Sequence, residues 1–142
     1  MSISPPVQPQ CNTTQPGALA AHDAALFTPL TALPRLFDRW PGQLWAKLEM
    51  LQPSGSAKER SAAQMLQRAE ESGHVHPGAV VVESTSGNLG VALARQCLLR
   101  GLRFVAVIDD CANSATVRTM QAYGAAIEVV QVATGEDRLS AR

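Results

Sequence analysis

The sequence lacks an excess of charge of either sign. Lysine plus arginine and aspartate plus glutamate each number 12, so the formal net charge is zero. Nucleic acids and anionic membranes attract basic surfaces, and we therefore expect neither as a partner. No apolar run approaches the length that spans a bilayer. The opening residues MSISPPVQPQ have neither the charged nor the apolar segment of a secretory signal, which predicts a cytoplasmic protein.

Cysteine is scarce, and no group of metal ligands is evident. Cys11, Cys97 and Cys111 are odd in number and form no C-x-x-C pair, so reduced thiols are expected. His74 and His76 form an H-x-H pattern, but no nearby cysteine or carboxylate pair completes a ligand set. We predict no metal site and a solvated loop at these histidines.

The sequence does contain a repeated alternation of apolar runs and helical patterns. Strands are predicted at 43–51, 79–83, 103–108 and 126–132, and helices at 58–72, 88–100 and 114–123. Each helical pattern is followed by a glycine, the residue that suits the left-handed position ending a helix. The glycines are Gly73, Gly101 and Gly124.

Strands that alternate with helices predict right-handed crossovers and a parallel sheet. The expected fold class is α/β, with a four-stranded parallel sheet and flanking helices in three layers. Residues 1–25, rich in Pro, Gln, Thr and Ser, are predicted to be a flexible lead-in. The folded region is assigned to residues 26–142.

Two turns leave carboxyl ends of predicted strands, where open parallel sheets bind ligands. In QPSGSAK (52–58), Ser56 and Glu59 have the S-x-x-E spacing of a capping box, which places Lys58 in the first helical turn. The positive end of the helix dipole destabilises a cation there by about 0.3–1 kcal/mol. The same field, aided by burial, favours the neutral amine that attacks a carbonyl. The alternative is an exposed lysine near a helix start.

The second turn, ESTSGN (83–88), has the features of an anion site. Gly87 allows a ligand to approach the backbone, and the start of the next helix leaves N–H groups unpaired. Thr85 and Ser86 add side-chain donors, and the whole suits a carboxylate. Neither a nucleotide P-loop nor a full dinucleotide-binding turn is present. A plain Ser/Thr-capped helix is the alternative.

The two turns together resemble those of a known family. LEMLQPSGSAKERSA (48–62) followed by ESTSGNLGVALA (83–94) is similar to the cysteine synthase group of fold type II pyridoxal-phosphate enzymes, which are related to tryptophan synthase β. The segments TPL (28–30) and YGAAIEVV (123–130) also match family positions.

The resemblance implies a cofactor and a role for each residue of the two turns. Lys58 would bond covalently to pyridoxal 5′-phosphate and, once released, act as the general base. Asn88 would hydrogen-bond the pyridoxal 3′-oxygen. Thr85, Ser86, Gly87 and Asn88 would hold the substrate carboxylate.

Details of the second turn bear on the specific reaction. Leu89 replaces the second threonine usual in sulfhydrylases, and Leu89-Gly90 differs from the His-Ala typical of serine/threonine dehydratases. AYGAAIEVVQVATGEDRLSAR (122–142) resembles the N-(2-amino-2-carboxyethyl)-L-glutamate synthases, which make a 2,3-diaminopropionate precursor for siderophores. The implied reaction is β-replacement on O-phospho-L-serine with L-glutamate as the nucleophile. Cysteine synthase activity, from O-acetylserine and sulfide, is the alternative.

Members of that family are considerably longer than this chain and are usually homodimers. No G-T-G-G-T-like stretch, which grips the cofactor phosphate in the family, occurs here. We therefore expect residues 26–142 to be the N-terminal part of such an enzyme, truncated, with the second half absent. A non-catalytic remnant is the alternative. In either case an apolar face should be exposed.

Overall fold

The computed structural model describes residues 27–34 and 42–131. The strands are β1 (Leu30–Ala32), β2 (Trp45–Lys47), β3 (Val80–Ser84), β4 (Arg103–Asp109) and β5 (Ala126–Val130). The helices are α1 (Lys58–Glu71), α2 (Asn88–Leu99) and α3 (Ser114–Ala122), with a 3₁₀ helix at Glu49–Leu51. The predicted lead-in, residues 1–25, lies outside the described residues.

Strands β3, β4 and β5 form a parallel sheet in that order. Ser84 of β3 lies opposite Val107 of β4, and Asp109 of β4 lies opposite Val130 of β5. The carboxyl ends of the three strands therefore meet at one edge, where the sequence predicts the ESTSGN turn; the QPSGSAK turn does not leave this sheet, because it follows β2. The α/β class, the parallel order and the flanking helices are confirmed.

The prediction that residues 43–51 form a fourth parallel strand was wrong. β2 pairs antiparallel with β1, with Thr31 opposite Ala46, and the two strands form a separate sheet. The segment then turns into the 3₁₀ helix. The apolar residues of this segment are not buried as they would be in a central strand, since Trp45 is 53% exposed and Leu51 is 59% exposed. An apolar run predicts an extended segment but not the strand that pairs with it.

The core lies between the helices and one face of the parallel sheet. α2 occupies its centre and contacts both α1 and α3. β4 contributes Phe104, Ala106 and Ile108, and α3 contributes the fully buried Met120. This packing fixes the starts of α1 and α2 relative to the sheet.

The alternate residues of the strands lie on the opposite face of the sheet. Val82 pairs with Val105 there and is 59% exposed, and Val80 is 43% exposed. The exposed apolar face expected from the sequence is therefore present.

Candidate active site

Lys58 is the first residue of α1, as the sequence predicts, but the expected capping box is not formed. The residue before the helix, Ala57, makes no side-chain cap. Ser56 Oγ accepts a hydrogen bond from the Lys58 amide at 3.3 Å. The Glu59 side chain does not return to Ser56, because it is buried and pairs with α2 instead.

Lys58 differs sharply from Lys47, the other lysine of this chain. Lys47 Nζ donates to the Thr28 carbonyl at 2.8 Å and lies 4.0 Å from the Glu49 carboxylate. Lys58 is exposed, so the burial expected around its amine is not found. Within residues 27–34 and 42–131, no acceptor or carboxylate pairs with Lys58 Nζ. Its side chain is thus available to a ligand.

An ion pair fixes the segment that leads into Lys58 to the β1–β2 sheet. The Arg60 guanidinium contacts both oxygens of Glu49, at 3.0 and 2.9 Å. Thr28 Oγ1 donates to Glu49 at 2.6 Å. The hydrogen bonds from Arg60, which have the largest effect, and from Thr28 lower the pKa of Glu49 to about 2, because they stabilise the carboxylate. Sequence patterns did not indicate this pair, because Glu49 fell within a predicted strand.

A second ion pair fixes the same turn to α2. Glu59 is 1% exposed, and its Oε1 accepts from Arg95 Nη1 at 2.5 Å and also from Gln96 Nε2. Glu59 Oε2 is buried and has no hydrogen-bond partner among the residues that the structure describes. The two residues that follow Lys58 therefore anchor it to two different elements.

The predicted anion turn joins β3 to α2. The Thr85 amide donates to the Val107 carbonyl at 2.9 Å, which holds the turn against β4. Thr85 Oγ1 accepts from the Gly90 amide at 3.0 Å, so this hydroxyl caps α2. Within the described parts of the chain, no acceptor takes the amides of Ser86, Gly87, Asn88 or Leu89. These free N–H groups can bind an anion such as a carboxylate.

Gly87 in this turn and Gly90 in the first turn of α2 serve different purposes. A Cβ on Gly87 would meet no atom within 4 Å, and the Gly87 φ of −127° does not require glycine. Neither packing nor backbone conformation explains Gly87, and the open space beside it suits a ligand. A Cβ on Gly90 would lie 2.6 Å from Met120 Sδ and 2.8 Å from Thr85 Cγ2. Gly90 is thus required by packing, which the sequence alone did not reveal.

The predicted site residues lie at the starts of two helices that pack together. Lys58 begins α1, and Thr85, Ser86, Gly87 and Asn88 precede or begin α2. No hydrogen bond between described residues joins Lys58 to this turn. A free amine and a row of free amides suit an aldehyde and a carboxylate, respectively.

The described residues contain no cluster of side chains suited to a metal ion. His74 and His76 are exposed in the loop after α1, and His74 Nδ1 lies 2.7 Å from Ser72 Oγ. None of the described helices has the length and apolar character needed to cross a membrane.

Comparison with known proteins identifies relatives of this chain. Residues 22–142 match the family described as pyridoxal-phosphate dependent enzyme. An N-(2-amino-2-carboxyethyl)-L-glutamate synthase from Ralstonia nicotianae is 45% identical over 103 residues, which cover 72% of this chain and 30% of the relative. A probable cysteine synthase from Bacillus subtilis is 42% identical over 112 residues, which cover 79% of this chain and 35% of the relative.

A solved structure shares the fold. The crystal structure of O-ureido-L-serine synthase superposes with a TM-score of 0.72 at 35% identity, covering 78% of this chain and 35% of that one. The matched part of the chain thus spans about a third of the length of each of these three proteins.

Proposed function

The chain belongs to the family of pyridoxal-phosphate dependent enzymes, and on that premise we propose that it takes part in β-replacement on an O-activated L-serine. The observation that supports this most directly is the position of Lys58 at the start of α1, where its amine has no hydrogen-bond or ion-pair partner among the described residues. Because the other lysine is engaged by Thr28, Lys58 is the residue suited to bond an aldehyde.

The described residues fit the cofactor and an amino-acid substrate. Lys58 would hold the cofactor aldehyde, and Asn88, exposed at the first position of α2, would hydrogen-bond the 3′-oxygen. When bound, pyridoxal phosphate withdraws electrons from the substrate Cα and makes its proton acidic. The open space beside Gly87 leaves room for the substrate next to the backbone.

The roles of the protein groups follow from their chemistry. The free amides from Ser86 to Leu89, assisted by the positive end of α2, would bind the substrate carboxylate and so orient its Cα. Thr85 holds this turn in shape through Gly90 and can still donate its own hydroxyl hydrogen. Lys58 Nζ, once released from the cofactor, would accept the Cα proton as general base.

We propose O-phospho-L-serine and L-glutamate as the substrates. The Ralstonia relative, a synthase of N-(2-amino-2-carboxyethyl)-L-glutamate, supports this choice. So does Leu89, which occupies the position where sulfhydrylases usually have threonine. The Bacillus relative, a probable cysteine synthase, supports O-acetylserine and sulfide as the second candidate pair. A cytoplasmic homodimer is proposed for the protein, as is usual in the family.

The test is to add pyridoxal phosphate to the chain, reduce with borohydride and map the labelled peptide. We expect a visible absorbance band and a label on Lys58, both absent in Lys58→Ala. Lys47→Ala is the matched control and should keep both, because these are the two lysines of the chain. A label on Lys47 in place of Lys58, or no label either in the chain alone or after addition of the C-terminal half of a longer relative, would overturn the proposal. Product masses with each substrate pair then choose between the two reactions.

A further inference from the structure

Two ion pairs join α1 to α2, and they lie at opposite ends of α1. Glu59, directly after Lys58, pairs with Arg95 at 2.5 Å. Glu70, in the last turn, pairs with Arg100 at 3.3 Å. The two glutamates are 11 positions apart, which corresponds to about 16 Å along the helix. The pair beside Lys58 is buried, since Glu59 is 1% exposed, whereas the side chain of Glu70 is 40% exposed.

Stability alone does not account for a carboxylate at position 59. A buried ion pair often contributes no more to folding than apolar residues of the same volume, because both charges lose their hydration. Here Glu59 Oε2 has no partner among the described residues, which adds a further cost. What the pair provides is geometry, since one oxygen is held by two donors from adjacent residues of α2, Arg95 and Gln96.

Local side chains hold the start of α1 only weakly, since the Lys58 amide donates to Ser56 Oγ at a long distance of 3.3 Å. Ala57 provides no side-chain cap. Consecutive residues differ by about 100° around a helix, so an anchored Glu59 sets the direction in which Lys58 leaves the helix. The same α2 begins with the turn that carries Ser86 and Gly87.

We propose that Glu59 is a positioning residue that holds Lys58 relative to α2 and its anion-binding turn. The inference rests on the proposed function, because it concerns the covalent attachment of pyridoxal phosphate to Lys58. Glu59 itself touches neither cofactor nor substrate. It acts through α2 and through the backbone of the first turn of α1.

The experiment compares Glu59→Gln with Glu70→Gln, which removes the other ion pair between the same two helices. Both variants are incubated with pyridoxal phosphate, reduced with borohydride at timed intervals and mapped by peptide mass. Glu59→Gln should slow labelling of Lys58 by about tenfold or more, because small misplacements of a reacting group have large effects on rate. Glu70→Gln should label within about twofold of wild type, because its pair is remote from Lys58.

Acetylation of Lys58 by acetic anhydride, relative to Lys47, reports on exposure without the cofactor. The acetylation rate of Lys58 should be equal in wild type and both variants. Slower labelling by pyridoxal phosphate in Glu59→Gln then reflects the orientation of Lys58 and not its exposure. Equal slowing in both variants, or none in Glu59→Gln, would overturn the positioning role. Should Glu59→Gln fail to fold, Glu59→Asp keeps the charge with a shorter reach, and unchanged labelling there would also overturn it. Absence of label in wild type, alone and with the C-terminal half of a longer relative added, is a separate outcome that rejects the proposed function itself.

Discussion

The Thr85 hydroxyl accepts a hydrogen bond from the Gly90 amide at 3.0 Å, and the Thr85 methyl group occupies the space that a side chain at position 90 would need. One residue of the anion turn therefore caps α2 and also restricts its first turn to a glycine. The turn is held in shape by contacts within the protein, and the neighbouring amides remain available to a ligand.

We expect Thr85→Val to lower the free energy of unfolding by about 1 kcal/mol, because the Gly90 amide loses its acceptor while the shape of the side chain is kept. Thr85→Ser retains the oxygen and should lose less. Urea unfolding followed by circular dichroism measures both. Equal stability of Thr85→Val and wild type would show that the hydroxyl does not stabilise the start of α2.

Alanine at Gly87 in the turn and alanine at Gly90 in the first turn of α2 should have different effects. Gly90→Ala should destabilise the fold by about 1–3 kcal/mol, because its Cβ overlaps Met120 and Thr85. Gly87→Ala should leave the unfolding free energy nearly unchanged, because its Cβ enters open space, but it should weaken binding of an amino-acid substrate there. Thermal unfolding and equilibrium binding separate the two effects. A loss of stability in Gly87→Ala that matched Gly90→Ala would contradict the assignment.

The Glu49–Arg60 pair should make stability depend on pH in the acid range. The folded-state pKa of Glu49 is about 2, below its usual value of 4.5, so the folded protein favours the carboxylate. This stabilisation is complete above about pH 4.5 and is lost as the pH falls toward 2. The difference in melting temperature between wild type and Glu49→Gln should shrink over this interval. Arg60→Gln should show the same trend, and a difference independent of pH would contradict the pairing.

The cysteines of the described residues should differ in reactivity. Burial raises the pKa of the Cys97 thiol to about 11, from 9.0, whereas Cys111 is exposed. Cys97 should react with iodoacetamide at pH 8 about 100-fold more slowly in the folded than in the unfolded protein, because the thiolate is the nucleophile. Because folding favours the neutral thiol, its contribution to stability is present below pH 9 and is lost as the pH rises toward 11. Peptide mapping against Cys111 in the same sample measures the difference.

Local pattern predicted much of this fold correctly. The helical periodicity between Lys58 and Gly73 and the left-handed Gly73 (φ +76°) define α1 from residues that are close in sequence. The apolar runs of β3, β4 and β5 are likewise found within about one or two residues of their predicted bounds. The position of Lys58 in the first turn of α1 and the free amides before α2 follow from the same local rules.

Tertiary structure decided the features that depend on residues far apart in the chain. The spacing of Ser56 and Glu59 predicted a local cap, but Arg95 and Gln96, 36 and 37 residues beyond Glu59, hold its carboxylate instead. The pattern of residues 43–51 predicted an extended segment, and only the pairing with β1 excluded it from the parallel sheet. Periodicity and capping are properties of a short stretch of backbone and can be read along it. The partner of a charge or of a strand is set by which distant surfaces pack together, and no short stretch contains that information.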